Sequence, residues 1–169
     1  MDEIILRDTP DRFRPLAGEI VPPLLALLRE RRALEETAWD RLDRLQREFT
    51  AAGGLPGQPA PGRIQAGEEY RRRYLELAVP RCVPGFLKRG APDGCQRPAK
   101  YHFLDEEPAP QITFTMETAQ KAVVVISAPR GSLRLLYRFT LRPGPEGWLI
   151  ARIDYHHSNE TTWHIDRYL

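Results

Sequence analysis

Residues 111–157 constrain the fold most, because apolar patterns with a period of two follow one another there. The segment QITFTMET alternates apolar residues with Thr and Glu, KAVVVISA is β-branched, and SLRLLYRFTLR alternates Leu, Tyr and Phe mainly with Arg and Thr. This period is typical of strands that bury one face. Connections of hairpin length and turn composition, TAQ, APRG and PGPEG, lead on to WLIARIDYHH. The sequence therefore predicts four antiparallel strands in a meander.

Helical patterns precede these strands. After Pro22 and Pro23 the chain lacks Gly and Pro up to residue 49, and apolar residues recur every three or four positions. A helix interior tolerates proline poorly, so the pattern predicts one long amphipathic helix that begins after the two prolines. A second, shorter helix is predicted over EEYRRRYLELA, residues 68–78. Helices followed by a meander predict an α+β fold in which the helices cover one face of the sheet.

The length of 169 residues suits a single domain, residues 1–169, with one core. Within it we distinguish an N-terminal helical part, 1–52, a loop rich in Gly and Pro, 53–67, and a helix plus meander sheet, 68–169. Residues 79–110 contain six prolines and three glycines. This composition predicts an irregular crossing with one short strand around KYHFL.

Charge and targeting signals exclude several classes of function. The net charge is only +2, and the Arg, Lys, Asp and Glu residues interleave along the chain, so a nucleic-acid partner is not indicated. The N-terminus lacks the basic start and apolar run of a signal peptide, and no stretch is long enough to span a membrane, so we expect a cytoplasmic protein. Cys82 and Cys95 are then expected to be free thiols.

No pattern of catalytic or metal-binding residues stands out. Four residues could act as a general acid or base in a cavity, namely Asp40, His102, Asp154 and His164, but their spacing selects no pair. None of the serines lies in a nucleophile motif, and no Gly-rich phosphate loop occurs. His156 and His157 are adjacent on a strand, so their side chains point to opposite faces and cannot share a metal. We therefore predict no enzyme activity, no metal and no cofactor.

Arginines form a stripe on one predicted strand. Arg134, Arg138 and Arg142 share a face, and Arg152 can join them from the next strand. Like charges in such an arrangement repel, so either Glu117 and Asp154 neutralise them or the face is open to an acidic partner. The first interpretation is favoured, with Asp154 pairing with Arg152. The aromatic residues Trp148, Trp163 and Tyr168 are more typical of a core than of an interface, although Trp, Tyr and Arg are the usual anchors of binding surfaces.

The segments YRFTL and GWLIARIDY and the terminal TTWHIDRYL resemble the nuclear transport factor 2-like cone, a cystatin-like fold, and more narrowly the immunity proteins of that fold in bacterial polymorphic toxin systems. The resemblance covers residues 68–169. Trp148, Leu149 and Ile150 after Gly147 are similar to the wider fold, and the ending from Trp163 onward is similar to the immunity group. The resemblance implies helices packed on a curved antiparallel sheet, and a protein that neutralises a cognate toxin by binding and steric occlusion.

We expect the toxin-binding residues at the C-terminal hairpin, the tail and the adjoining sheet. They are Arg138, Arg152, Tyr155, His156, His157, Trp163 and His164. The loops 53–67 and 84–110 are the alternative binding regions. Two other functions stay open: a small-molecule binding protein or isomerase/dehydratase-like enzyme that uses the cone cavity, and a homodimer that pairs through the outer sheet face. A deep pocket with Asp or His at its floor would favour the enzyme.

Overall fold

The computed structural model describes residues 4–169, which form two helices on one six-stranded sheet. The helices are α1 (Leu16–Ala51) and α2 (Arg63–Ala78). The strands are β1 (Ile4–Arg7), β2 (Gln111–Thr118), β3 (Lys121–Arg130), β4 (Leu133–Gly144), β5 (Gly147–His157) and β6 (His164–Asp166). Short 3-10 turns lie at Asp11–Phe13, Val79–Arg81, Phe86–Arg89 and His102–Asp105. The predicted α+β class is confirmed.

The sheet is mixed rather than purely antiparallel. Its strand order is β1-β2-β3-β4-β5-β6, and each neighbouring pair from β2 to β6 is antiparallel, as the meander predicted. Strand β1 adds a parallel edge, with Ile4 opposite Ile112. The two edge strands escaped prediction because four and three residues are too short to show a period.

The short strand predicted around KYHFL is wrong. Residues His102–Asp105 form a 3-10 turn instead. Phe103 and Leu104 are adjacent and both are buried, at 5% and 4% exposure. Successive side chains of a strand point to opposite faces, so two adjacent buried residues beside the helices are better accommodated by a turn.

Helix α1 begins at Leu16, six residues before Pro22, so the predicted start after the prolines is wrong. Each proline removes a main-chain donor and costs about 3 kcal/mol in a helix interior. The same turns bury Ile20, Val21, Leu24 and Leu25, each at 3% exposure or less. Burial of one such side chain contributes about 1.5–3 kcal/mol, so packing of this segment offsets the loss from the prolines.

Helix α2 also begins earlier than predicted, at Arg63 rather than residue 68, which shortens the predicted loop 53–67. Gly62 precedes the helix with φ of +81°, a left-handed conformation that glycine adopts without strain. The helix buries Ala66, Tyr70 and Tyr74. These side chains pack one turn apart on a single face, which is the face that contacts α1.

One hydrophobic core lies between the helices and the sheet. Along β3 and β4 the inward residues Val124, Ile126 and Phe139 are fully buried and pack with Leu28 of α1. The alternation predicted for β4 is confirmed, because its intervening residues stay outside this core, and β3, predicted as a strand from its β-branched residues, alternates in the same way.

Buried polar contacts join the last residues of the chain to α1, to α2 and to Lys100. The Arg31 Nε donates to the main-chain oxygen of Leu169 at 2.9 Å, and the Leu169 amide donates to the Tyr74 hydroxyl at 2.7 Å. The Lys100 ammonium lies 2.8 Å from the Asp166 carboxylate. Burial lowers the pKa of Lys100, and the negative charge of Asp166 opposes this shift. The network holds β6, and with it the preceding Trp163, against the sheet.

Candidate functional site

Within residues 4–169, no helix covers the side of the sheet that faces away from α1 and α2. We call this surface the outer face; its side chains include Ile5, Arg7, Thr113, Thr115, Lys121, Val123, Val125, Arg134, Leu136, Arg138, Thr140, Arg142, Leu149, Arg152, Asp154, His156, Trp163 and Ile165. Asp154 is the buried exception; the others are half-buried or exposed, and none belongs to the core. An antiparallel sheet with one solvated face usually carries polar residues there. The mixture of β-branched, aromatic and basic residues on this face is typical of a binding surface instead.

A buried carboxylate organises the centre of the outer face. Asp154 has 0% exposure and lies directly opposite Arg138 in the register of β4 and β5. The Arg138 Nε and Nη2 donate to its Oδ2 at 3.3 and 3.1 Å, and the Arg152 Nε donates to its Oδ1 at 2.7 Å. This hydrogen bond raises the pKa of Arg152. One carboxylate thus orients two guanidinium groups, and the trio keeps a net positive charge.

Trp163 completes this cluster. Its ring centroid lies 4.2 Å from the Arg138 Cζ, a cation–π contact worth about 0.5–2 kcal/mol depending on solvent exposure. The His156 ring packs against the same indole edge to face, with 4.2 Å between centroids. We call Arg138, Arg152, Asp154, His156 and Trp163 the Arg–Trp cluster. Its side chains are ordered by one another before any partner arrives.

The seven residues expected to bind a partner divide between the two faces. Arg138, Arg152, His156 and Trp163 meet on the outer face, within the Arg–Trp cluster. The other three, Tyr155, His157 and His164, belong to the opposite side of β5 and β6 because successive strand residues alternate. There Tyr155 packs with Tyr137 at 6.1 Å and with His164 at 5.4 Å between ring centroids. These seven residues therefore do not form one surface.

Glu160 orders the turn between β5 and β6. Its carboxylate accepts the main-chain N–H of His157 at 2.8 Å and lies 3.5 Å from the His164 Nε2. The His157 hydrogen bond lowers the pKa of Glu160, and the nearby His164 adds to that shift. The ionised carboxylate thus helps to fix the turn from which Trp163 emerges.

Among the described residues, the carboxylate that pairs with the arginine stripe is Asp154 rather than Glu117. Arg134 donates to the Ser127 hydroxyl and main-chain oxygen, both at 2.7 Å. Among residues 4–169 no ion pair joins a carboxylate to Arg7, Lys121 or Arg142. Arg7 and Lys121 were not predicted to share the face of the arginine stripe. Strand β1, which carries Arg7, was not predicted, and a single exposed Lys does not by itself indicate a binding surface. The prediction that Asp154 pairs with Arg152 is confirmed, but its carboxylate is buried rather than solvated.

The four candidate acids and bases are not gathered in an interior cavity. Asp40 and His102 line an open surface cleft of about 500 Å³ beside α1, together with Trp39 and Arg97. The Asp40 carboxylate is 68% exposed and accepts a hydrogen bond from Arg97, and the His102 Nδ1 lies 2.9 Å from the main-chain oxygen of Ala99. Asp154 and His164 lie elsewhere, on opposite sides of β5 and β6.

Two further surface clefts of similar size are present. One, of about 560 Å³, lies between α1 and α2 and is lined by Trp39, Ile64 and Cys95. The other, of about 510 Å³, lies between α1 and the β4–β5 hairpin and is lined by Leu24, Leu141 and Trp148. In the part of the chain that the structure describes, no three His, Cys, Asp or Glu residues lie close enough to hold a metal ion. Both cysteines are free, and burial raises the pKa of the Cys82 thiol to about 12.

Comparisons with known proteins identify no relative of this chain. No protein-family model matches the chain, and neither a curated protein nor a solved structure matches it significantly. Neither α1, α2 nor the short helical turns within residues 4–169 combine the length and the apolar character that crossing a bilayer requires. The site must therefore be interpreted from its own geometry.

Proposed function

We propose that this protein is an immunity protein, which binds a bacterial toxin domain through the outer face and occludes the toxin's active site or substrate route. The proposal includes the finer fold assignment, a nuclear transport factor 2-like cone over residues 68–169, and a cytoplasmic location. The carrying observation is the Arg–Trp cluster: a preorganised set of anchors on a sheet face that neither α1 nor α2 covers. The protein would need no chemistry of its own.

The physical reason lies in the cost of binding. Ordering a long side chain at an interface costs about 0.5–1.5 kcal/mol, and the cost is lower when the chain is already held. Asp154 holds Arg138 and Arg152, and Trp163 packs on Arg138. Trp and Arg are the residue types that dominate binding free energies. The cluster is therefore suited to provide most of the affinity, while Val123, Val125 and Leu136 supply an apolar surround.

The filled interior supports binding over catalysis. The buried inward side chains of β2 to β5 share one core cluster with residues of α1, and Phe114, Val124 and Phe139 have 0% exposure. The acid and base candidates lie at the surface or in the Asp154 ion pairs. A cone that served as an enzyme would need an internal space with such a residue at its floor.

Co-expression with the toxin domain encoded upstream tests the proposal. We expect cells to survive and a complex to co-purify. Trp163→Ala and Arg138→Gln should each weaken the complex at least 30-fold, as expected for anchors worth about 2 kcal/mol or more. Arg72→Gln is the matched control, because Arg72 lies on α2, away from the outer face, with 62% side-chain exposure and pairs with Glu76 of the same helix. Cell death without a complex would refute the proposal for that toxin.

A further inference from the structure

We infer that the outer face recognises an acidic protein surface, with carboxylates placed opposite four basic residues, Arg7, Lys121, Arg142 and Arg152. The inference rests on the proposed function and names the chemistry of the partner. It begins with the distribution of charge. The six strands together carry seven Arg or Lys and only three Asp or Glu. The seven are Arg7, Lys121, Arg130, Arg134, Arg138, Arg142 and Arg152, and the three are Glu117, Asp154 and Asp166.

The three carboxylates leave much of this charge uncompensated. Asp166 pairs with Lys100 from outside the sheet, and Asp154 is shared by two arginines. Glu117 forms no ion pair among the described residues. Arg7, Lys121, Arg142 and Arg152 are exposed, and the first three lack an ion-pair partner within residues 4–169. We call these four residues the basic half of the outer face.

The register fixes the spacing of the basic half. One row of residues crosses the sheet from Arg7 through Thr115, Val123 and Thr140 to Arg152. Neighbouring strands lie about 4.8 Å apart, so the two arginine Cα atoms at the ends of this row are separated by roughly 19 Å. Lys121 precedes Val123 by two residues and Arg142 follows Thr140 by two. Because β3 and β4 are antiparallel, both lie on the same side of this row and on the same face. The cations thus lie at both ends and along one side of a small centre formed by Thr115, Val123 and Thr140.

A protein with an acidic rim and an apolar centre fits this pattern. Complementary charge at the rim speeds association and selects the partner, while the desolvated centre contributes affinity. A second copy of this chain fits poorly, because a two-fold contact places the same basic surface on both sides and brings arginines together.

A nucleic acid is also disfavoured by the cluster geometry. Base stacking needs an aromatic ring with an open face. The Trp163 ring is occupied on one face by Arg138 and is also packed against His156. The uncompensated cations therefore point to carboxylates of a protein.

The first test measures association of the toxin complex. The double variant Lys121→Glu/Arg142→Glu reverses two cations outside the Arg–Trp cluster, and Arg47→Glu/Arg72→Glu reverses two exposed helix cations as a control with the same net charge. At low salt we expect the association rate to fall at least tenfold for the first variant and less than twofold for the control. The salt dependence of the rate should weaken in parallel.

A complex that forms and protects cells, but whose association rate is unchanged or faster in the sheet variant, would overturn the acidic-partner inference and leave the proposed function standing. No complex with the wild-type protein would instead count against the proposed function, and a second test then decides the inference alone.

The second test uses defined probes and needs no toxin. The peptide acetyl-EEVEE-amide, its lysine counterpart acetyl-KKVKK-amide and an eight-residue oligothymidylate are titrated at 150 mM salt while amide NMR shifts are recorded. Support requires shifts confined to residues 121–125, 138–142 and 152–156, with the acidic peptide alone or binding most tightly. Shifts on α1 and α2, no shifts at millimolar peptide, or tighter binding of the oligonucleotide would overturn the inference.

Discussion

The helices and the outer face of the sheet differ in charge balance: the helices carry equal numbers of acidic and basic residues, whereas the strands carry an excess of basic ones. Helices α1 and α2 carry ten Arg and ten Asp or Glu, and many of them pair, as Arg72 does with Glu76 and Arg47 with Asp43. The strands carry seven cations against three carboxylates. Helix pairs three or four residues apart satisfy each other locally, whereas strand residues depend on neighbours from other strands. The excess positive charge of the protein therefore gathers on the sheet.

The two regions also differ in how they use a buried carboxylate. Glu35 on α1 is 3% exposed, lies 3.2 Å from Arg31 and accepts the main-chain N–H groups of Gln96 and Lys100 at 3.0 and 2.8 Å. It joins a helix to the irregular crossing. Asp154 instead accepts from two guanidinium groups, those of Arg138 and Arg152, which are partly exposed to solvent. The first carboxylate supports the fold, and the second orients a surface.

The largest expected effect comes from removing the helix carboxylate. Glu35→Ala leaves the Arg31 guanidinium buried without its counterion and leaves two main-chain donors unpaired. The free energy of unfolding should fall by about 3–5 kcal/mol. Glu36→Ala is the matched control, since Glu36 is 52% exposed, and should change stability by less than about 0.5 kcal/mol. Urea titration measures both. Equal losses would mean that burial does not distinguish the two carboxylates.

A matched pair on β3 compares the two faces of the sheet. Val124 has 0% exposure and packs in the core, whereas Val125 is half-buried on the outer face. Val124→Ala should cost about 2–3 kcal/mol, because two buried methyl groups are lost and a cavity remains. Val125→Ala should cost less than about 1 kcal/mol. If both variants lose the same stability in chemical denaturation, the outer face is covered rather than open.

Removal of the sheet carboxylate should have an intermediate effect. In Asp154→Asn, Arg138 and Arg152 lose their shared counterion, but both are partly solvated, at 32% and 51% side-chain exposure. We expect a loss of about 2 kcal/mol, less than for Glu35→Ala. Part of this loss is repulsion between the two arginines, so added salt should recover stability in Asp154→Asn more than in the wild-type protein. No difference in salt response would contradict this.

The smallest effect is a loss of folding stability at alkaline pH, and it comes from buried thiol and phenol groups. Burial raises the pKa of Cys82 and of Tyr70 to about 12, from ordinary values of 9.0 and 10.0. A raised pKa means that stability is complete below the ordinary value and is lost as pH rises toward the raised one. Each group therefore costs about 1.4 kcal/mol per pH unit in its window, or about 1.4 kcal/mol at pH 10 from Cys82.

Urea midpoints between pH 8 and pH 10 measure this loss. Replacing the thiol in Cys82→Ala should flatten the pH dependence below pH 10, while Cys95→Ala should have the smaller influence because Cys95 is less buried. An unchanged slope in Cys82→Ala would show that the thiolate is tolerated in the folded protein.

Much of the fold was predictable because its signals are local. Strand β2 has the predicted bounds, and β3, β4 and β5 differ from theirs by at most two residues at either end. Alternation over eight residues or more identifies such strands without knowledge of the rest of the chain. The start of α1 was mispredicted because the local cost of Pro22 and Pro23 is outweighed by packing that only the complete core provides.

The candidate site was predictable only in part. The alternation of side chains along β4 and β5 places Arg138 and Arg152 on the same face, as predicted. The same alternation places the neighbouring residues His156 and His157 on opposite faces, as predicted. The position of Trp163 could not be predicted, because a five-residue connection, residues 158–162, lies between it and β5. Arg7 belongs to the basic half only because β1 pairs with β2, more than one hundred residues away in sequence.

By itself, the sequence determined the strand periods, the two helices and the near-balance of total charge, since each depends on residue types and their spacing. The tertiary structure decided which charges are neighbours. Along the chain the cations alternate with acidic residues, but pairing of the six strands brings cations together on one sheet. Folding of the tail against Arg31 and Lys100 places Trp163 against Arg138. The reason is physical: charge balance along a chain is a sum over residues, whereas the charge of a surface depends on which segments pack together.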